Sequence, residues 1–220
     1  MFSYIFMKIL ERRPRSYDGR ISKLSGGRIL EIKKEVASAV PPGSLVLEIG
    51  CGTGELAAML VAAGSRVDGF DLSDVMVAAS QERMEHEKLY EKLSLRHMGV
   101  DAMDGLPDGA YDAVVSTLVF SELTDDERRF ALEHAARVLK PGGHLVIADE
   151  VVPRSMSRGW THALFRLPLL LATFLLSGDS TEPVKNLAGE ISSAGFSIIE
   201  ESRSHGDAFA IVVAHKTVDK

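Results

Sequence analysis

Cysteine is nearly missing from this chain: its 220 residues hold one, Cys51. A lone thiol excludes an internal disulfide and any metal site built from several cysteines, and it fits a reducing compartment. Positive charge is also in short supply. Asp and Glu outnumber Lys and Arg by 31 to 25, for a net charge of −6. Broad nucleic-acid binding needs Lys and Arg to neutralise phosphates, so no nucleic-acid partner is expected. His86, His97, His134, His144 and His215 lack metal-ligand spacing, and no metal is expected. Internal repeats and low-complexity tracts are missing too.

No hydrophobic run is long enough to cross a bilayer. Residues 1–10 (MFSYIFMKIL) are apolar but lack a basic leader and a small-residue cleavage site, so a signal peptide is not expected. Residues 163–176 (ALFRLPLLLATFLL) are greasier. As a helix they would span about 21 Å against roughly 30 Å of hydrocarbon, and Arg166 and Pro168 interrupt them. The expectation is a soluble, cytoplasmic protein, with contact to a membrane surface left open.

What is present is a regular alternation of apolar runs and amphipathic stretches. Residues 19–39 read as one helix, stopped by Pro41-Pro42-Gly43. Strands are expected at 45–49, 66–71, 93–98, 111–117 and 144–148, with helices at 55–63, 75–90 and 125–139 between them. Pro141-Gly142-Gly143 stops the last of these helices. A helix at 184–194 and two strands, 196–200 and 209–214, follow, the strands joined through Ser204-His205-Gly206-Asp207. Strands alternating with helices predict an α/β fold: a doubly wound, seven-stranded sheet, mostly parallel, with an antiparallel C-terminal hairpin. One domain over 1–220 is expected, with an N-terminal helical arm (1–40) and an apolar insert (152–183).

The chemistry gathers at the end of the first strand, LVLEIGCGTGEL, where Gly50, Gly52 and Gly54 alternate. In such a sheet ligands sit beyond the carboxyl ends of the strands. Glycine adopts positive φ and lets a ligand lie against main chain, while the next helix points free N–H groups at the same spot. A nucleotide-like cofactor fits these features better than an empty turn. Gly52-Thr53-Gly54-Glu55-Leu56-Ala57 also satisfies G-x-G-x-x-A, so a dinucleotide stays formally open. Asp71 ends the second strand, placed for two ribose hydroxyls, a feature of either cofactor.

Taken jointly, Glu48-x-Gly50-x-Gly52-x-Gly54, Asp71, Asp101-Ala102, Tyr111-Asp112 and Leu139-Lys140-Pro141-Gly142-Gly143 resemble the class I S-adenosylmethionine-dependent methyltransferases, which are Rossmann-like. The resemblance covers roughly 45–150 and the closing hairpin. It implies S-adenosyl-L-methionine as cofactor. It implies that the Gly50-Cys51-Gly52 backbone, with Gly54, packs on the methionine and ribose parts, and that Asp71 accepts the ribose hydroxyls. Leu72 would flank the adenine, with Asp101 accepting from its amino group and Ala102 and Met103 near the ring. Ser116 and Thr117 would face the sulfonium, and Glu48 would fix the loop or meet the amino-acid moiety. Cys51 itself reads as a small packing residue rather than a nucleophile. Tyr17-Asp18 and Ser25-Gly26-Gly27 add a narrower similarity to the branch that C-methylates ubiquinone and menaquinone precursors, whose Tyr-Asp arm folds over the cofactor. Residues 152–181 depart from that branch. Arsenic methylation needs several cysteines, and the Asn-Pro-Pro-Tyr type signature of amino-directed nucleic-acid methyltransferases is absent.

A sulfonium methyl is already activated, so a general base is needed only where the acceptor must lose a proton. The candidates are Glu122, His162 and His205, with Asp149 and Glu150 behind them. Glu122 reads equally as a cap for the following helix, His162 as an interfacial residue and His205 as part of the hairpin turn. The acceptor is expected to be a small molecule. Phe165, Leu167, Leu169, Leu170, Leu171, Phe174, Leu175 and Leu176 would cover nearly all faces of a helix, which must then bury itself. Three readings follow: a cover for a lipophilic acceptor, a homodimer interface beside a polar one, or a cofactor-binding module that transfers nothing.

Overall fold

The computed structural model describes residues 17–154, 183–204 and 206–217. It opens with α1 (Tyr17–Ser25) and α2 (Arg28–Ser38). The expected single helix is two because Gly26 and Gly27 take φ of 62° and 84°, the left-handed conformation that ends a helix. The Gly27 N–H then donates back to Ser22 O at 2.7 Å, closing the last turn of α1.

There follow β1 (Leu45–Ile49), α3 (Glu55–Ala62), β2 (Arg66–Asp71), α4 (Asp74–Glu87), β3 (Leu93–His97), β4 (Tyr111–Thr117), α5 (Asp125–Val138), β5 (Leu139–Glu150), α6 (Leu187–Ser193), β6 (Phe196–Ser204) and β7 (Phe209–Lys216). Short 3-10 turns, Val100–Gly105 and Phe120–Glu122, follow β3 and β4. The seven strands lie in the order β3-β2-β1-β4-β5-β7-β6. Neighbours among β1 to β5 are parallel, and β7 runs antiparallel to both β5 and β6. The chain starts mid-sheet, steps outward to β3, then crosses back to β4. The order therefore reverses between β1 and β4, which is where ligands lodge in such sheets.

Side chains alternate between the two faces of a strand. Leu47 and Ile49 join Phe120, Leu132, Leu145 and Ile147 in one core, packed by α5 and α6. Val46 joins Ile32, Val36, Leu56 and Leu60 in the other, packed by α2 and α3. Glu48 shares the Val46 face, so its carboxyl is directed into the α2–α3 side.

Other boundaries differ from expectation as well. β5 begins at Leu139, opposite Tyr111, and a register shift between Tyr111 and Ala113 absorbs Pro141-Gly142-Gly143 inside the strand. α6 begins at Leu187 rather than Val184, because Val184 instead forms a parallel bridge with Val151. Val152 N–H donates to Val184 O at 3.0 Å, and Val184 N–H to Glu150 O at 2.9 Å. β6 and β7 each run past their expected ends, to Ser204 and Lys216. Among the described residues, no helix is long and apolar enough to cross a membrane.

Candidate functional site

A cleft of about 740 Å³ opens beyond the carboxyl ends of β1, β2 and β4. It brings together Tyr17, Glu48, Gly50, Cys51, Gly52, Asp71, Leu72, Asp101, Thr117 and Glu122, all expected from sequence. Gly54, Ala102, Met103 and Ser116 are not on its wall. Met103 is fully buried in the core, and the buried Ser116 hydroxyl donates to Ile49 O at 3.0 Å, so its one proton is spent inside the sheet. His162 and His205 lie outside the described residues.

The three glycines do three different jobs. All have positive φ. A Cβ on Gly50 would overlap the Val119 side chain, so this glycine admits the turn after β4. A Cβ on Gly54 would come 3.0 Å from Ser80 Cβ, so this one lets α4 pack close. Around Gly52 nothing lies within 4 Å of where a Cβ would be. Its bare Cα faces open space at the cleft wall, and of the three it alone keeps room for a ligand.

Asp71 locks this loop. Its Oδ2 accepts from Gly52 N–H at 2.8 Å and its Oδ1 from Ser73 N–H at 2.9 Å. An ionised carboxylate offers about four acceptor sites, so two N–H donors leave capacity for hydroxyls on a ligand. Glu48 sits deeper and is 1 % exposed. Burial pushes its carboxyl up to about 8; the Lys33 ammonium acts against that shift and Asp71 adds to it. Its Oε2 has no hydrogen-bond partner, which is costly for a buried acceptor. Burial, with Glu48 and Asp71 nearby, also pushes the Cys51 thiol up, so it stays protonated and unreactive.

The N-terminal arm is pinned to the same loop. Asp18 Oδ1 accepts from the Thr53 hydroxyl at 2.6 Å, its other oxygen pairs with the Arg83 guanidinium, and Arg83 Nε donates to Thr53 O at 2.9 Å. This places Tyr17, the neighbour of Asp18, on the cleft wall. Ile29 and Lys33 of α2 line the same side.

The far wall is the turn after β4. Leu118 has φ of 61°, a conformation that costs a branched residue roughly 1–3 kcal/mol, and its N–H is held by Ala148 O at 2.9 Å. Asp149, at the end of β5, is fully buried and holds this turn from beneath. Its Oδ2 accepts from Phe120 N–H and its Oδ1 from Glu150 N–H, both at 2.7 Å. Burial raises its carboxyl to about 6, against a hydrogen bond from the Ser121 hydroxyl and these backbone bonds. Asp149 therefore has no path to an acceptor. Glu122, on the turn itself, does line the cleft. The cap of α5 falls instead to Thr124, in a capping box with Glu127.

Sequence reasoning missed Lys33, Leu118, Val119 and the Asp18–Arg83 pair. Lys33 stands in an ordinary charged stretch, Lys33-Lys34, and Leu118-Val119 is a plain apolar pair just past the expected strand. Neither carries a local signal. Asp18 was legible only as half of Tyr17-Asp18.

The fit to known proteins agrees with this geometry. The methyltransferase-domain family matches residues 46–143. An uncharacterised methyltransferase of Anoxybacillus flavithermus is 34 % identical over 107 residues, 49 % of this chain, and the chain spans only 47 % of that relative's length. In structure, an S-adenosylmethionine-dependent methyltransferase of Methanosarcina mazei has the same fold, with a TM-score of 0.66 at 17 % identity over 84 % of this chain and 97 % of its own. A demethylmenaquinone methyltransferase of Thermus thermophilus is 32 % identical over 179 residues, 74 % of this chain and 79 % of its own length, and at that coverage the chain belongs to the S-adenosylmethionine-dependent methyltransferase family.

Proposed function

We propose that this protein transfers a methyl group from S-adenosyl-L-methionine to a small lipophilic acceptor, a quinone-precursor or lipid-like molecule. The observation that carries the cofactor assignment is the open space at Gly52 beside Asp71, whose carboxylate already fixes the loop and keeps acceptor sites for ribose hydroxyls. Leu72 (75 % exposed) and Asp101 stand ready for the adenine. Gly99 has no Cβ, which lets the Asp101 carboxylate fold back toward Leu72. Thr117 and Leu118 face the reacting end, with Tyr17 closing the opposite side.

When bound, the cofactor supplies a sulfonium methyl already activated for in-line attack. The task of the chain is then alignment and exclusion of water, which alone lowers a barrier by several kcal/mol. Glu122 is the described side chain placed to take a proton from an acceptor that must lose one. His162 and His205 remain candidates from sequence.

The acceptor class rests on two supports. The apolar residues 163–176 fall in sequence between Val151 and Val184, which are bridged at the carboxyl end of β5, on the same edge of the sheet as the cleft. The Thermus relative is by name a demethylmenaquinone methyltransferase. On this reading the chain is one catalytic domain, with residues 1–40 and 152–183 next to the acceptor.

The test is incubation of the protein with methyl-labelled cofactor and cell extract split into lipid and aqueous fractions, read by mass spectrometry. Label in a lipid-fraction molecule is expected. Label only in water-soluble products would overturn the acceptor class, and no S-adenosylhomocysteine from any fraction would overturn the transfer itself.

A further inference from the structure

The turn that carries Asp101 has little of its own to hold it in shape. Val100–Gly105 is a short 3-10 turn, a geometry with poor internal hydrogen bonds and with end carbonyls that need partners from elsewhere. Ala102 N–H donates to Gly99 O at 3.2 Å, and Leu106 N–H to Met103 O at 3.0 Å. The carbonyls at the exit of the turn are met by one side chain from outside. Arg137, in the last turn of α5, donates from Nη2 to Met103 O at 2.8 Å and to Asp104 O at 3.2 Å. Its Nη1 donates to Leu106 O at 2.7 Å and pairs with the Asp108 carboxylate. Its Nε donates to His134 Nδ1 at 3.1 Å, so the guanidinium has no N–H to spare. The Arg137 carbonyl in turn accepts from Gly109 N–H at 3.0 Å. A single residue thus ties the chain from Met103 to Gly109 onto α5.

The other end of the same turn lies on the cleft. Asp101 is on the cleft wall, and Arg137 is not. A Cβ on Gly99 would come 2.4 Å from Asp101 Oδ1, so the carboxylate lies close over the main chain and its aim follows the backbone of the turn. Only a planar fork can span several carbonyls at once; an ammonium is a point charge. We propose that Arg137 is a positioning residue for base recognition: it holds the Val100–Gly105 turn so that Asp101 presents its carboxylate to the adenine amino group. It thereby sets the preference for adenine over a base without that group. This rests on the S-adenosylmethionine reading above and adds a residue that acts through Asp101 without touching the cofactor.

The test compares two thioethers by calorimetry: S-adenosylhomocysteine, and S-inosylhomocysteine, in which an oxo group replaces the adenine amino group. The wild-type protein should favour the adenosyl compound by about 10–100-fold, the worth of a hydrogen bond to a charged group. Asp101→Ala should remove that preference. Arg137→Lys keeps the charge but cannot span the carbonyls, and should cut the preference by about five-fold or more. Added to Asp101→Ala, it should leave the ratio of the two affinities within about two-fold, because its effect passes through that carboxylate. Asp108→Asn removes only an exposed partner and should keep the wild-type ratio within about two-fold. A lowered melting temperature with an unchanged ratio in Arg137→Lys would reduce Arg137 to a structural role and overturn the proposal. A shifted ratio in the Asp101→Ala background, or as large a loss from Asp108→Asn, would overturn it as well. Arg137→Gln, read in the same way, replaces Arg137→Lys if that variant does not fold, and failure of both to fold overturns the proposal too. A wild-type protein that binds neither thioether refutes the cofactor reading beneath it. One that binds both equally refutes this recognition alone.

Discussion

The carboxyl ends of β2 and β5 each carry an aspartate, and the two are used in opposite directions. Asp71 and Asp149 both accept two backbone N–H groups through separate oxygens. Asp71 does so on the cleft wall, at the switch side of the sheet, and retains solvent-facing acceptor sites. Asp149 is sealed under the turn after β4, with Phe120 above it and β7 alongside. A strand-end carboxylate thus faces the cleft in one case and is a strut for the cleft's wall in the other. Its neighbours across the sheet decide which.

Substitution should separate the two roles most clearly. Asp71→Ala is expected to raise the dissociation constant for S-adenosylhomocysteine by more than about 100-fold while costing the fold only about 1 kcal/mol, since its N–H partners lie near solvent. Asp149→Ala strands the buried Phe120 N–H and should cost roughly 2–4 kcal/mol in urea denaturation, with binding by the folded protein changed little. Near-native affinity in Asp71→Ala would erase the distinction.

The glycines offer the same contrast one step smaller. Gly50→Ala forces a Cβ against Val119 and should destabilise by about 2–4 kcal/mol. The Cβ of Gly52→Val meets no neighbour, so the variant should fold with a loss of about 1–2 kcal/mol from its left-handed backbone, yet bind no cofactor. Thermal melts with and without ligand read both effects.

Glu48 sharpens the comparison through pH. Its folded-state value of about 8 lies above the ordinary 4.5 of a glutamate, so folding is unhindered below about pH 4.5. Stability is then lost as pH rises toward 8 and the buried group ionises. Glu48→Gln should therefore be more stable than wild type at pH 8.5, by roughly 2–4 kcal/mol in the ligand-free protein, and no different near pH 5. A constant difference across that range would show that the carboxyl is already ionised when empty.

The smallest expected effect is at the arm. Arg83→Gln releases the half-buried Asp18 and one contact to Thr53, and should speed cofactor release by about 3–10-fold in stopped-flow displacement. A wild-type rate would mean that α1 holds its place without the ion pair.

Much of this was legible in the residues. Strands such as Arg66–Asp71 and Tyr111–Thr117 fall where alternation and turn signals put them, because local pattern and tertiary role agree there. The Glu48-to-Gly54 spacing led to the cleft for a similar reason: its glycines are demanded by backbone geometry, which sequence records. Other features depend on what lies across the sheet. That Ser116 turns its hydroxyl inward while Thr117 faces the cleft is set by one step of the pleat, and that Gly50 exists for Val119 is visible only once residues 69 positions apart are in contact. Helix α6 starts late because Val184 is claimed by Val151, a long-range pairing that no window of residues reports.

That pairing has a consequence for how the molecule can change. The residues on either side of 155–182 are tied to each other by two main-chain hydrogen bonds, so the distance between the two attachment points does not depend on what joins them. The entropy of closing a loop grows only slowly with its length, about 0.6 kcal/mol per doubling. Stretches of other sizes could be exchanged between these two posts at little cost to the sheet, while the half that carries the cleft stays as it is.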